Sequence, residues 1–386
     1  MRAFCSMFSQ LLQLFSRVEF ASLVKKHRAE RHARGFDCWT QFVAMLFCQL
    51  GRAHSLREIC GGLASVEGKL NHLGVETAPK RSTLAYANAH RPAALFENVF
   101  QRLLERCQGL SPRRKFRFKN KLVSMDATVI DLCLKMFDWA KFRRTKGAVK
   151  LHLLLDHDGY LPCFGVITEG KVHEIRVARS LEFPSGTILA MDRGYVDYLW
   201  LDELEQQGVF FVTRLKDNAA FSVEEEFSGP DGPIRSDCLI RLPGSGQSLN
   251  EARILRRIVV WDEVNQREIV LLTNNMKLAA RTIAAIYKER WQIELFFKAL
   301  KQNLKIKTFV GTTRNALEIQ IWTALISMLL LKYLQLRSRI AWSLSNLVAM
   351  LRFNIFVHRD LWKWLEDPFE LPPEPDEIEP TLFGFS

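Results

Sequence analysis

Apolar residues recur every three to four positions through the first hundred residues, and beyond residue 120 the pattern changes to runs of strand formers. Cys38 to Leu50 is apolar enough for a core helix. Ser55 opens another, with Glu58 three residues on as the second half of a capping box. Ser82–His90 and Ala93–Cys107 continue the helical pattern, with Pro92 in the first turn of the later helix. Lys121 to Leu132 reads as a strand. Val149–Asp156 and Leu161–Thr168 are two more, joined at Asp158-Gly159 as a hairpin. Gly186–Met191 predicts a strand, Val196–Gln206 a helix and Val209–Leu215 a strand. Turn clusters then separate alternating strands at Cys238–Leu242, Arg253–Trp261 and Arg267–Thr273, with acidic Glu224–Glu226 ahead of them. A helix over Tyr287–Lys301 and apolar helices from Leu317 to about Arg352 follow.

On this pattern the chain divides into a helical module over 1–110, a basic linker over 111–121 and an α/β unit over 122–215 that resumes over 276–312. A β module is inserted over 216–275, C-terminal helices occupy 313–365, and an acidic, Pro-rich tail runs over 366–386. The most apolar segment, Ile321–Leu331, ends at Lys332, which is too short to span a bilayer and predicts a buried helix rather than a membrane contact.

The helix over Tyr287–Lys301 has two faces. At about 100° per residue, Ile286, Ile293, Phe296, Phe297, Leu300 and Leu304 share one arc, and Tyr287, Arg290, Glu294 and Lys301 share its neighbour. Read alone, the second face is a solvated stripe with Arg290–Glu294 and Glu294–Lys298 pairs worth a few tenths of a kcal/mol each.

Composition changes that picture. Lys and Arg number 54 against 42 acidic residues, a net charge of +12, which points to a polyanionic partner, nucleic acid before membrane. The eight cysteines form no C-x-x-C pair, so a disulfide framework and a zinc knuckle are unsupported and a reducing cytoplasm is expected. The helical module suits either a helix-turn-helix reader of DNA or an ordinary bundle with solubilising charge. The linker interleaves six basic residues with Phe116 and Phe118, suiting phosphate contact and base stacking, or a plain connection. In the β module Arg253, Arg256 and Arg257 run close to Trp261, a combination that can grip a backbone and stack a base; a core Trp is the plainer reading.

Asp126 lies in the middle of an apolar strand, where a carboxylate is costly unless paired or metal-bound. Asp192 follows a strand and precedes a helix, the place where side chains reach into the crevice of an open α/β sheet. With Glu294 these make a carboxylate trio whose mutual repulsion asks for divalent cations. Oxygen-only ligation suits Mg²⁺ or Mn²⁺, and two such ions serve phosphodiester chemistry.

The spacing Tyr287, Arg290, Glu294, Lys301 reproduces the Y-(2)-R-(3)-E-(6)-K signature, and together with SMDAT around Asp126 and MDRGY around Asp192 the chain resembles the bacterial insertion-sequence-four family of DDE transposases. STLAYANAHR (Ser82–Arg91) also looks like this group, more loosely. The resemblance covers about residues 120–335. It implies an α/β fold with an RNase H-like catalytic core, a β insertion between the second Asp and the Glu, and Mg²⁺-dependent cut-and-paste transposition. Carried over residue by residue, it makes Asp126, Asp192 and Glu294 the metal-binding catalytic residues. Tyr287, Arg290 and Lys301 become backbone contacts at the transposon end, and Trp261 the stacking candidate. Lys298, Arg193, Arg256 and Arg257 are further DNA-contact candidates by charge and position. The implied partners are terminal-repeat DNA, bound through the N-terminal module (1–110) as its DNA-binding module and through basic surfaces, target DNA and a second copy of the chain. A non-cutting regulator of transposon origin and another RNase H-like nuclease are the alternatives.

Overall fold

The computed structural model describes residues 5–369 apart from 32, 34, 67, 111–115, 117, 134, 144–145, 229–230, 243–252 and 307. Most of the basic linker and of the acidic tail therefore lies outside the described residues.

The chain opens with α1 (Met7–Leu12), α2 (Arg17–Lys26), α3 (Cys38–Leu50), α4 (Leu56–Ala64), α5 (Arg81–His90) and α6 (Ala93–Gln108). Local signals set their ends. Ser55 Oγ accepts from Glu58 N–H at 3.2 Å, while the Glu58 carboxylate reaches one residue past the cap to His54 N–H at 2.8 Å. α3 begins and ends where its apolar run does.

Next come β1 (Leu122–Leu132), β2 (Lys141–Arg143), β3 (Lys146–Asp156), β4 (Leu161–Glu169), α7 (Glu174–Ala178), β5 (Ile188–Met191), α8 (Tyr198–Gln206) and β6 (Phe210–Arg214). The β3–β4 turn places Gly159 at φ +88° and Tyr160 at φ +53°, with Asp156 Oδ1 accepting from Asp158 N–H at 2.9 Å. β4, β3 and β1 pair antiparallel; β5 and β6 then add parallel to β1, giving the order β4-β3-β1-β5-β6.

The strands of the insertion do not stand apart from this sheet. β7 (Ser222–Ser228), β8 (Ile234–Leu242), β9 (Arg253–Asp262) and β10 (Arg267–Thr273) form a meander, and β10 pairs antiparallel with β6, so the sheet continues through ten strands. β7 is a difference from the sequence expectation. Its Glu224–Glu226 run is an edge strand, where acidic side chains stay in water and Glu224 meets Arg241 of β8 at 2.7 Å.

α9 (Ala280–Glu289), α10 (Trp291–Asn303), α11 (Arg314–Arg337), α12 (Leu344–Asn354) and α13 (Leu361–Glu366) complete the chain. The strand alternation sorts side chains into two layers. Val123, Met125, Leu189, Met191 and Phe211 pack with α7 and α8; Leu122, Ile188, Ala190 and Val212 pack with Ile283, Ile286 and Tyr287 of α9. The third cluster joins the N-terminal helices to α10, α11 and the far ends of β1 and β3. α11 is long and apolar enough to cross a membrane by composition, yet most of its surface is buried inside the fold.

Candidate active site

β1 and β5 run parallel with Met125 opposite Met191, and there their pairing stops. The next residues, Asp126 and Asp192, emerge side by side on strands about 4.8 Å apart. The MDRGY turn carries Asp192 at its entrance: Tyr195 N–H donates to the Asp192 carbonyl at 3.1 Å, and the buried Tyr195 ring fixes the turn on the sheet. Burial pushes the Asp126 carboxyl up to about 6, with the nearby Glu294 and Asp192 charges adding to the shift; the Ala127 N–H and Arg290 oppose it. Asp126, inside β1, thus feels both Asp192, just past the end of β5, and Glu294, on the helix.

The helix expected over Tyr287–Lys301 is interrupted. α9 ends at Glu289 and α10 begins at Trp291, with the intervening Arg290 spanned by three-residue hydrogen bonds, Arg290 N–H to Tyr287 O at 3.2 Å and Ile293 N–H to Arg290 O at 3.1 Å. The tightening coincides with an anchor beside it: Glu289 is buried and accepts from the Tyr160 hydroxyl at 2.9 Å, tying the junction to the β3–β4 turn.

Arg290 is the hinge of the site's electrostatics. Its side chain is only 5% exposed, and it reaches Glu294 Oε1 at 2.8 Å and lies 4.0 Å from Asp126 Oδ2. The guanidinium also sits over the rings of Tyr287 (5.4 Å) and Trp291 (5.5 Å), and its buried Nε has no hydrogen-bond partner among the described residues. Lys301 Nζ donates to Val129 O of β1 at 3.0 Å, while Lys298 is exposed on the outer side of α10. Arg193, beside Asp192, pairs with Asp217 at 2.7 Å and remains half exposed.

The donor chemistry fits a hard divalent cation, being carboxylate oxygen throughout. Among the described residues, however, no three acidic, His or Cys side chains are grouped tightly enough to hold an ion as they stand. Arg290 supplies the positive charge between Glu294 and Asp126.

The β9 candidates are rearranged. Arg256 is buried, held by Asp237 at 2.8 and 2.7 Å and by the carbonyls of Asn275 and Leu278, so its expected DNA contact is corrected to a core ion pair. Arg257 lies over Phe221 at 5.2 Å. Trp261 has Arg235 over its ring at 5.7 Å, in place of the three arginines of its own strand. Phe116 and Phe118 stack on each other, 5.0 Å between centroids, rather than standing apart for bases.

Trp291 and Leu295 of α10, each 52% exposed close to Glu294, belong to no motif in the sequence. Both fall outside the apolar arc of the helix, and a Trp placed off the core face next to Arg290 was the signal available.

Acidic side chains inside one strand, just past the end of its parallel neighbour and on a facing helix, flanked by buried and surface cations, suit an enzyme acting on phosphodiesters. Residues 117–330 match the family described as transposase DDE domain, and residues 5–76 match a domain of unknown function, DUF4372. A Sinorhizobium fredii protein described as transposase y4zB is 33% identical over 79% of this chain and 85% of its own. The Geobacillus stearothermophilus protein described as the transposase for insertion sequence element IS5377 is 30% identical, over 70% of this chain and 72% of its own. One for element IS4SA, from Synechocystis, is 26% identical over 66% of this chain and 71% of its own. The chain belongs to the DDE transposase family, in its insertion-sequence-four type. Membership carries an enzymatic activity, a DNA partner and dependence on divalent metal.

Proposed function

We propose that this chain binds the terminal inverted repeats of its insertion sequence and cuts and joins DNA at the site formed by Asp126, Asp192 and Glu294. The observation that supports the reading is the parallel register of β1 and β5, which brings Asp126 and Asp192 next to each other, together with the influence of Glu294 on the Asp126 carboxyl. The sheet order β4-β3-β1-β5-β6 supports an RNase H-like core, with the four strands β7–β10 as the insertion. The three carboxylates would hold Mg²⁺, or Mn²⁺ with the same donor set, as two ions. When bound, such ions activate an attacking hydroxyl and stabilise the leaving oxygen.

The protein's own side chains do the rest. Glu294, paired with Arg290 in this structure, would be the helix-borne metal ligand, and Arg290 would lend its charge to the phosphate backbone with Lys301, Lys298 and Arg193 on the surrounding surface. Tyr287 packs beneath Arg290 and limits where it can turn. Trp291 and Leu295 offer an apolar wall to the sugar or base beside the scissile phosphate. A water nicks the transposon end, and the freed 3′-OH is the nucleophile for joining to target DNA. A dimer would hold both ends, in the cytoplasm.

The test is to incubate the purified protein and Mg²⁺ with linear DNA bearing the flanking repeats. Nicks at the repeat boundary are expected. Asp126→Asn, Asp192→Asn and Glu294→Gln should each abolish nicking while retaining binding, and full cleavage by any one of them would remove that residue from the site. Binding without nicks would favour a regulator, and structure-dependent cuts elsewhere a different nuclease.

A further inference from the structure

Glu289 stands one residue before Arg290 and takes no part in the carboxylate trio, yet it is only 7% exposed, where a carboxylate needs a partner. Its Oε2 accepts from the Tyr160 hydroxyl at 2.9 Å. Burial and that carboxylate push the Tyr160 hydroxyl up to about 12, so it remains a donor through the neutral range. Tyr160 comes from the β3–β4 turn and takes a left-handed backbone (φ +53°), a conformation that costs a non-glycine residue free energy. The same turn is tied to β1. His157 N–H donates to Leu122 O at 3.1 Å, His157 Nε2 meets Ser124 Oγ at 2.7 Å, and Lys121 pairs with Asp156 at 3.2 Å. The His157 ring stands edge-on to Tyr160, 5.6 Å between centroids. Ser124 is fully buried and lies two residues before Asp126, on the same face of β1. On the other side, Arg290 pairs with Glu294 at 2.8 Å and lies 4.0 Å from Asp126. The contacts therefore close a ring that runs from β1 through the β3–β4 turn to the α9–α10 junction and back to β1 through Arg290.

We propose that Tyr160 and Glu289 are positioning residues: with His157 they brace the α9–α10 junction against β1 and so fix where the Glu294 carboxylate stands relative to Asp126. The proposal rests on the reading of Asp126, Asp192 and Glu294 as the metal-binding trio. The junction calls for a brace because its three-residue hydrogen bonds at Arg290 make it a point about which α10 can swing. Glu294 is five residues beyond Glu289, about 7.5 Å along a helix, so a rotation of about 5° at the junction moves it by roughly 0.6 Å. A site for Mg²⁺ tolerates little of that, since the ion demands near-octahedral ligands at about 2.0–2.1 Å and a working site is held to within about 0.5 Å. The stacked Phe116 and Phe118 line the pocket beside the Tyr160–Glu289 hydrogen bond, and their apolar surface strengthens it by lowering the local dielectric.

The experiment measures Mn²⁺ taken up by the full chain bound to a duplex carrying the terminal repeat, read as loss of the free-ion electron paramagnetic resonance signal. Tyr160→Phe and Glu289→Leu should each raise the half-saturating Mn²⁺ concentration about tenfold, the low end of what losing an outer-shell contact costs a metal site. The double variant Tyr160→Phe/Glu289→Leu should raise it no further than either alone, because both changes remove one and the same hydrogen bond. Glu289→Gln keeps a carbonyl acceptor for the Tyr160 hydroxyl and should take up Mn²⁺ like wild type. Nicking should follow suit, with more Mg²⁺ needed for half the maximal rate while the rate at saturating Mg²⁺ stays near wild type. A contact that serves the fold alone would lower the melting temperature and leave Mn²⁺ uptake unchanged. That result, or additive effects in the double variant, overturns the proposal. If Glu289→Leu does not fold, Tyr160→Phe read against Glu289→Gln decides by the same measure. Asp126→Asn separates the two failures. Wild-type uptake by Asp126→Asn would sink the carboxylate reading itself, whereas lost uptake there with wild-type uptake in Tyr160→Phe overturns the brace alone.

Discussion

Arg256 and Arg290 are both arginines buried against carboxylates, and only their surroundings separate a core ion pair from a site residue. Arg256 has its guanidinium satisfied by Asp237 and two carbonyls, with side-chain exposures of 7% and 4% across the pair. Arg290 leaves Nε without a partner among the described residues and shares Glu294, which is one-third exposed, with solvent. Removing one member of a buried pair leaves the other charge unpaired, so Arg256→Ala should destabilise the fold by about 3–5 kcal/mol. Chemical denaturation measures this, and a loss below about 1 kcal/mol would show the pair to be solvated. The two arginines look alike in the sequence because Asp237 meets Arg256 only through the pairing of β8 with β9, a contact no local pattern specifies. Asp126 was different: a carboxylate inside an apolar strand announces its cost in the sequence, and burial is indeed the first cause of its raised pKa.

At the scale of elements, periodicity placed most strands and helices, and Asp192 at the end of its strand, because those depend on neighbours within a few residues. What it could not place was pairing at a distance. The β10–β6 contact that makes the insertion part of the main sheet is one case. The break at Arg290 is another, set beside an anchor 129 residues away in sequence, Tyr160 on Glu289. A third is the seam between the N-terminal helices and the catalytic part. There Gln320 of α11 donates from Nε2 to the carbonyls of Lys305 (2.7 Å) and Thr308 (2.8 Å), and its Oε1 accepts from Val310 N–H at 2.9 Å. Gln49 of α3 joins the same knot, accepting from Lys305 N–H at 2.7 Å and donating to the Gln320 carbonyl at 3.2 Å. This segment follows directly from the Glu294 helix. Gln320→Leu strands three backbone groups, each costing about 1–3 kcal/mol when buried unpaired. It should therefore destabilise the fold by several kcal/mol, and Gln320→Glu, which keeps the acceptor but sets a buried carboxylate oxygen against two carbonyls, should not rescue it. Equal melting temperatures for Gln320→Leu and wild type would mean that the segment finds other partners.

For the whole molecule, the sheet's interior between helical layers makes stability depend on pH through groups held within it. His152 lies on β3, paired with Ala127 of β1 on one side and Val166 of β4 on the other, and is 3% exposed. Burial pulls its imidazole down to about 4, with Lys150 assisting and Glu174 opposing; Nε2 meets Thr168 Oγ1 at 2.9 Å and Nδ1 is unpartnered among the described residues. The folded chain thus holds His152 neutral where the unfolded chain, near 6.5, takes up a proton. Its contribution is fully present above pH 6.5 and is lost as pH falls toward 4. Asp126 has the opposite sign: its folded pKa lies above the ordinary carboxylate value, so its contribution is present below about 3.8 and is lost as pH rises through about 6. Between those limits the two partly cancel, and removing the imidazole uncovers the carboxylate's direction. Unfolding by urea at pH 7.5 and pH 5 should show the His152→Gln variant losing about 2 kcal/mol less than wild type over that step. Identical losses in both proteins would place the imidazole in contact with water and assign the acid sensitivity to other groups.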